Sequence, residues 1–455
     1  MDGSTEDPGL GPVVGRLTTR AQGTATRTGR TRGARWPRRP TRITFPPGAD
    51  AITPAQAATR AEDLLGLPAI HRRDEALSFA PTSVTAVEPL VHGWRYFPRI
   101  IEDIASARHH VHVLIYAFRP GRIGDQVLEA LRTAVASGAE VRVAVDAIGS
   151  GIDFGSRRLY RQMRDVGIEV VANDGIAVVR GGGLGGRRLR LHAEDAFHFD
   201  HRKMMVIDGR IAYVGGTGIE DHFHDARFTD MMCRVTGPVV AQVQLAYVAS
   251  WVKDGGRKPA RLDGLFPPAV AADPGTAALP GVTATVLMNV PGTGHHPIRD
   301  AIHQSLAKAE TAIDVVNPYI SNRGVIRRLI AAAQRGVAVR IIIPAQPRPP
   351  YPMAAFRSWL PALRAAGAEV LAHPGMAHAK VYRMDDRLLV GSCNLDDLSL
   401  YRNDELDILF EGPAIPDLAA VVFDQLAGAS SPASASTSRR SRVWERTMAR
   451  FSRLL

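Results

Sequence analysis

Two segments of the 455-residue sequence carry the same reactive side chains. His201, Lys203 and Asp208 in the first half, and His378, Lys380 and Asp385 in the second, each spell His-x-Lys-x-x-x-x-Asp, and all three members stand 177 residues apart. Lysine is scarce, at 203, 253, 258, 308 and 380 only, against 51 arginines, so the presence of two of the five in these motifs is not accidental. Residues two apart on a strand point to one face, so the His and Lys of each motif face a ligand together. The aspartate follows at an odd spacing and falls in a hairpin turn, where it is expected to hold the turn or a backbone amide rather than touch substrate.

Two imidazoles and two ammonium groups brought together suit a phosphodiester. The lysines neutralise oxygens that gain charge in the transition state. One neutral histidine attacks phosphorus while the other, protonated, gives its proton to the leaving alcohol, which makes a phosphohistidine. A second alcohol or water then attacks that intermediate, with the second histidine now acting as base. The histidines must hold opposite protonation states near neutral pH, which the intrinsic pKa of imidazole permits. The chemistry needs no metal and no cofactor. The candidate catalytic set is therefore His201, Lys203, Asp208, His378, Lys380 and Asp385.

The elements around the motifs form an α/β rhythm, expected as helix over 94–107, strand over 111–118, helix over 125–137, strand over 140–146, helix over 159–166 and strand over 169–172. Two short apolar runs, 204–207 and 211–214, flank Asp208-Gly209, the pair favoured in a tight hairpin. A helix over 238–252 closes this half, and 253–281, rich in Pro, Gly and Ala, reads as a linker. The rhythm then restarts, with helices over 297–309, 324–334 and 354–366, strands over 312–319, 337–344 and 369–372, and a hairpin across Asp385-Asp386. Gly138-Ala139-Glu140-Val141-Arg142-Val143 is answered by Gly336-Val337-Ala338-Val339-Arg340-Ile341. The period is too long for a solenoid, so the duplication predicts two similar α/β domains related by a pseudo-twofold axis.

On these residues the sequence resembles the phospholipase D superfamily, and within it bacterial cardiolipin synthases, over about 90–426. The likeness is carried by both motifs, by Gly215-Gly216 after the first and Gly391-Ser392-Cys393-Asn394-Leu395-Asp396 after the second, and by Asp146, Gly149 and Ser150 after an early strand. It implies two α/β/α sandwich domains of the phospholipase D fold that share one active site at their interface and transfer a phosphatidyl group in two steps. It also implies that Asp230 in the first half and Glu405 in the second are carboxylates that orient a catalytic histidine, with Gly216, Ser392 and Asn394 in support. Three departures stand out. Gly218 replaces the counterpart of Asn394, Phe228-Thr229-Asp230 replaces the usual Trp-Arg-Asp, and the two N-terminal membrane helices of many cardiolipin synthases have no counterpart, as in shorter relatives.

The formal net charge is +11, from 56 basic and 45 acidic residues, and it sits at the ends. Residues 1–42 hold nine Arg against three acids and 439–455 hold six Arg against Glu445, which leaves the body neutral. A neutral body offers no track for nucleic acid, while basic ends suit an anionic phospholipid membrane surface. Trp444, Met448, Phe451 and Leu455 at spacings of 4, 3 and 4 predict an amphipathic helix for such a surface. Two cysteines, 233 and 393, make no disulfide framework, residues 1–50 contain no apolar run of a secretory signal, and no stretch approaches 18 apolar residues. The expected location is therefore cytoplasmic, peripheral at the inner face of the cell membrane. The expected domains are a basic, largely disordered segment 1–85, a first domain 86–252, a linker 253–281, a second domain 282–428, and a linker with basic helix 429–455. One chain supplies both motifs, so a monomer can complete the site.

Asp221, His222, His224 and Asp225 lack the further spaced ligands of a metal cluster. The glycines of 181–186 lack the Lys-Ser or Lys-Thr of a phosphate loop and are expected to form a mobile loop near His201. Cys393 reads as a small packed residue. The leading function is phosphatidyl transfer between phospholipids of the phosphatidylglycerol type. Hydrolysis of phospholipid to phosphatidic acid, and a nuclease or phosphodiesterase of the same superfamily, remain the alternatives.

Overall fold

The apolar runs of both halves become sheets in a computed structural model of the chain, which describes residues 54–66, 79–151, 153–173, 199–259, 262–268, 279–290, 294–434 and 438–451. In the first half β1 (Ala86–Val91), β2 (His110–Ile115), β3 (Glu140–Asp146), β4 (Glu169–Asn173), β5 (Lys203–Ile207), β6 (Ile211–Gly215) and β7 (Met231–Thr236) form one sheet. Its order is β1-β7-β6-β5-β2-β3-β4. The second half repeats this as β8-β14-β13-β12-β9-β10-β11. These strands are β8 (Thr283–Asn289), β9 (Ala312–Val316), β10 (Ala338–Pro344), β11 (Glu369–His373), β12 (Val381–Met384), β13 (Arg387–Gly391) and β14 (Glu405–Glu411). In each sheet three strands run parallel, β2-β3-β4 and β9-β10-β11, while the motif hairpins β5-β6 and β12-β13 are antiparallel.

Period-2 alternation decides which core each side chain enters. On β5, Met205 and Ile207 face an outer core with Tyr96, Phe97 and Ile100 of α1 (Gly93–Ala105), Val127 and Leu131 of α2 (Arg122–Ala136) and Leu159 of α3 (Phe154–Asp165). Met204 and Val206 face inward, onto α4 (Val239–Lys253). In the second half α5 (Pro297–Lys308), α6 (Arg323–Gln334) and α7 (Tyr351–Arg357) take the outer place, and α8 (Ile415–Gly428) takes the inner one. One core holds α4, α8 and the inner faces of both sheets, so the halves are fused through a shared apolar layer. α4 is buried on nearly every side, as its near-continuous apolar sequence requires of a helix between layers.

Several expectations are revised. The helix expected over 354–366 is two, α7 and Leu360–Ala365, because Pro361 has no N–H to donate and so opens a new first turn. Lys253, expected to begin the linker, is the last residue of α4, and Leu262, Leu265 and Phe266 of that linker are buried in the shared core. Pro54–Gly66, within the segment expected to lack order, is a helix whose Ala57 and Ala61 are fully buried against the same core. The strands β7, β8 and β14 show little alternation in sequence because they are buried on both faces. The C-terminal helix α9 runs Arg439–Arg450, and Leu455 and the glycines of 181–186 lie outside the described residues.

Candidate active site

Each motif begins where a strand enters its sheet, which places His201 and Lys203, and likewise His378 and Lys380, on one face at the seam between the halves. The seam is stitched by backbone. The His201 N–H donates to the Asp404 carbonyl at 3.0 Å, and the Asp404 N–H donates to that of Phe199 at 3.0 Å. On the other side Met376–Ala377 pairs in parallel with Phe228–Thr229, and the His378 N–H donates to the Thr229 carbonyl at 2.6 Å. Each motif histidine is thereby hydrogen-bonded to the residue that precedes the other half's carboxylate.

The side chains follow the backbone across the seam. His201 Nδ1 lies 3.0 Å from both Glu405 oxygens, and His378 Nδ1 lies 2.7 Å from Asp230 Oδ2. A carboxylate only accepts, so each Nδ1 is assigned the proton and each Nε2 keeps its lone pair, that of His378 with Lys380 Nζ 3.1 Å away. Glu405 Oε2 also accepts from Ser392 Oγ at 2.6 Å, and Asp230 Oδ1 accepts from the Met231 N–H at 2.7 Å. Gly216 occupies the position of Ser392 in the first half. A Cβ there would come within 2.5 Å of Asp230 Oδ1 and 3.0 Å of Lys380 Cδ, so the close approach of that carboxylate and that lysine requires glycine. Asn394 is buried, and its Oδ1 has no partner among the described residues.

Lys203 and Lys380 are almost wholly buried, and each Nζ donates to the carbonyl of its own motif histidine, at 2.5 and 2.6 Å. Burial pulls Lys203 down to about 7 against the attraction of Glu405, and Lys380 to about 8 against that of Asp230. Burial, and then the Lys380 charge, pull His378 down to about 3; burial also lowers His201, with Glu405 opposing. Burial would raise Asp230, but His378 and Lys380 outweigh it and hold the carboxyl below its ordinary value. The site is crowded with groups that disfavour one another's positive charge, and a phosphodiester anion relieves that repulsion.

Four of the six motif residues meet here, and the two aspartates do not. Asp208 and Asp385 lie beyond the far ends of β5 and β12, Asp208 roughly 16 Å along the strand from Lys203. Asp208 accepts from the N–H groups of Arg108, His109 and His110 at 2.8 to 2.9 Å. Asp385 accepts from those of Glu310, Thr311 and Ala312 at 2.8 to 2.9 Å, and from Thr311 Oγ1 at 2.6 Å. Both tie the hairpin to the loop that opens the neighbouring strand, and both adopt a φ of 52° to do so. Their assignment to the catalytic set is corrected to a structural one.

Asp146 and Ser150 also hold backbone. Asp146 accepts from the N–H groups of Ile148, Gly149 and Asp200, and Ser150 Oγ accepts from that of Phe118. Asp221 accepts from the first N–H groups of α2, and Asp225 pairs with Arg227. Sequence reasoning missed the aromatic walls. The Tyr116 ring lies 5.1 Å from that of His201 and 4.8 Å from Lys203 Nζ, while Tyr319, Phe223 and Phe228 lie 6.2, 5.6 and 5.3 Å from His378. A tyrosine within three residues of the end of both β2 and β9 was the available signal.

Comparison with known proteins follows the same lines. The family model described as cardiolipin synthase, PLD-like domain, matches residues 100–247 and 302–427. The chain is 30% identical over 344 residues to cardiolipin synthase A of Yersinia pseudotuberculosis serotype O:1b (strain IP 31758), and equally to that of Yersinia pestis. Each match covers 72% of this chain, which spans 66% of those relatives' length. Among solved structures, a phosphatidylserine synthase from Haemophilus influenzae Rd KW20 shares the fold, with a TM-score of 0.60 at 15% identity over 88% of this chain and 98% of that one.

Proposed function

This chain belongs to the cardiolipin synthase family of phospholipase D-like domain proteins, and from that premise we propose that it transfers a phosphatidyl group from one phosphatidylglycerol to the glycerol hydroxyl of another through a phosphohistidine. The observation that carries the reading is the pair of crossed histidine–carboxylate contacts, which leave two Nε2 atoms and two buried lysines facing one seam. One Nε2 lone pair forms the N–P bond as the P–O bond to the leaving glycerol breaks, and the other histidine, protonated, gives that oxygen its proton. The acceptor hydroxyl then forms the new P–O bond, passes its proton to the second histidine and breaks the N–P bond. The lysines stabilise the charge on the non-bridging oxygens.

Purified protein mixed with phosphatidylglycerol vesicles is expected to yield cardiolipin and glycerol in equal amounts. Phosphatidic acid in place of cardiolipin would make water the acceptor, and turnover of a soluble phosphodiester without turnover of lipid would overturn the reading.

Access to a lipid headgroup supports peripheral docking at an anionic membrane, on the cytoplasmic face. Among the described residues no helix is long and apolar enough to cross a membrane. α9 packs against α7 with Val443, Trp444 and Phe451 outward, about half exposed each, amid Arg439, Arg440, Arg442, Arg446 and Arg450. Ile148, Phe154 and Tyr351, which follow β3 and β10, are exposed as well. Arginines at such a surface contribute about 1 kcal/mol each, and buried apolar side chains add a term that salt does not screen. Deleting 439–455 is expected to weaken binding to phosphatidylglycerol vesicles at least tenfold, while turnover of a short-chain, monomeric substrate changes less than twofold. Equal vesicle affinity at low salt would remove the helix from this role.

A further inference from the structure

Behind His201, on the side away from the lysines of the motifs, stands a group of charges that the reaction itself does not use. Arg202 is 1% exposed, and its guanidinium donates to both oxygens of Asp200, at 2.7 and 2.5 Å. Its Nη2 also lies 3.8 Å from Asp404 Oδ2. That same oxygen is met by Nζ of Lys253, the last residue of α4. Asp200 and Asp404 are bridge partners across the seam, both almost wholly buried. These contacts form a line, Lys253–Asp404–Arg202–Asp200, with Asp254 as a third acid within electrostatic reach of all four; Asp200 and Arg202 bracket His201 in sequence, and Asp404 precedes Glu405.

Among the described residues the other crossing has no such line of ions. The counterparts of Asp200 and Arg202, 177 residues on, are Ala377 and Ala379, and Thr229 stands in place of Asp404. The two alanines are buried in the shared apolar core. There the strands pair over two residues, Phe228–Thr229 with Met376–Ala377, and the acid is the short Asp230. At the His201 crossing the pairing among the described residues is the one bridge of Asp200 with Asp404, and the acid is Glu405, with one more rotatable bond. Among the described residues, the crossing with the shorter paired stretch and the more flexible acid is the one that carries the ions.

We propose that Lys253, Arg202, Asp200 and Asp404 are positioning residues that pin the first half's motif strand to the second half's acid strand, and so set the His201–Glu405 contact. A misplacement of a reacting group by a fraction of an ångström to an ångström costs up to about 100-fold in rate, and a line of buried ion pairs with good geometry is stiff because breaking it leaves a charge without its partner. In this role the four residues act through the strand that carries His201 and not on the substrate. Lys253, one of only five lysines, lies 50 residues from the first motif and outside both repeats of it.

The inference rests on the proposed phosphatidyl transfer for its kinetic readout, and a second readout does not depend on it. In ¹⁵N-histidine-labelled protein the hydrogen-bonded Nδ1–H protons of His201 and His378 are expected downfield, assigned with His201→Ala and His378→Ala. Lys253→Met should broaden or remove the His201 signal and leave that of His378 in place. It should lower kcat for monomeric substrate about 10- to 100-fold with KM within about threefold, and Lys253→Arg should recover most of the loss. Lys253→Met leaves Asp404 short of a cation and can fail to fold; the double variant Lys253→Met, Asp404→Asn removes both charges and is expected to regain thermal stability but neither the His201 signal nor kcat. A double variant with wild-type kcat and both downfield signals would overturn the proposal and leave these charges a fold-stabilising ion cluster. If wild-type protein turns over no phospholipid, the reading of function fails, while the His201 signal still decides the role of the four charges.

Discussion

The two halves share strand order, hairpins and motif, yet their histidines stand in different surroundings. His201 faces Glu405, which is further held by the Ser392 hydroxyl, and has four ions behind it. His378 faces Asp230, with glycine where the serine would be, alanines behind it and three aromatic rings around it. β14 also carries the buried Asp407 where β7 carries Met232. Duplication explains why two imidazoles meet at all, since a repeated fold packed on itself brings equivalent strand ends together. Divergence explains how they can act differently. The proposed transfer needs one imidazole that attacks and one that donates a proton, and two identical surroundings would give them one proton affinity.

The largest effect that would break this comparison is loss of either histidine. His201→Ala and His378→Ala are each expected to lower kcat at least about 100-fold, because one imidazole cannot serve both steps. Rapid quench with labelled lipid should trap label on one of the two histidines only, and equal labelling of both would erase the functional difference between the halves. The crossed carboxylates sharpen the point. Glu405→Gln should shift the Nδ1–H signal of His201 alone and Asp230→Asn that of His378 alone, each with about a 100-fold loss of kcat. The reverse pattern would return each acid to its own half.

Next in size are the lysines. Lys203 is held at about 7 in the folded chain against an ordinary 10.5, and Lys380 at about 8, burial being the first cause for both. With the folded value below the unfolded one, the protonated amine costs stability; that cost is fully present below about pH 7 for Lys203 and is relieved as pH rises towards 10.5. Lys203→Met is therefore expected to abolish turnover and yet raise the Tm of the ligand-free protein at pH 6 by about 2–5 °C, with a smaller gain for Lys380→Met. Both gains should vanish by about pH 10. On the same grounds kcat/KM should fall as pH rises through about 7 to 8, when the first lysine loses its charge. A lower Tm for both variants at pH 6 would show that the amines stabilise the seam instead of straining it.

The smallest effect belongs to the motif aspartates. Asp208→Asn and Asp385→Asn each weaken three backbone hydrogen bonds at a hairpin remote from the seam, and are expected to cost about 1–3 kcal/mol of stability with kcat changed less than about twofold. A 100-fold loss of kcat in a variant of native Tm would return these residues to the catalytic set.

Much of the molecule was legible in the amino-acid sequence because its determinants are local. Apolar runs such as Val111 to Ile115 and Val339 to Ile343 declare strands, and Asp208-Gly209 declares a turn whose aspartate adopts φ 52°. The two-residue spacing of His and Lys declares a shared face, and the 177-residue repeat declares a duplicated fold. What stayed hidden depends on how the halves meet. Strands buried on both faces, such as Met231–Thr236, lose the alternation that would mark them, and Pro361 divided a helix whose apolar pattern runs on through it.

Asp230 and Glu405 were recognisable as acids that serve histidines, but not as acids that serve the histidine of the opposite half. No periodicity or spacing along one strand encodes a contact 148 or 204 residues away across an interface. Lys253 was hidden for the same reason, since its partner lies 151 residues on and its meaning exists only where α4 ends beside the Asp404 strand. The sequence by itself determined which histidines and lysines are candidates for the chemistry, because their kinds and their spacing on a strand are covalent facts. Only the tertiary structure decided which acid holds which base, because that is set by the packing of two sheets on one shared core.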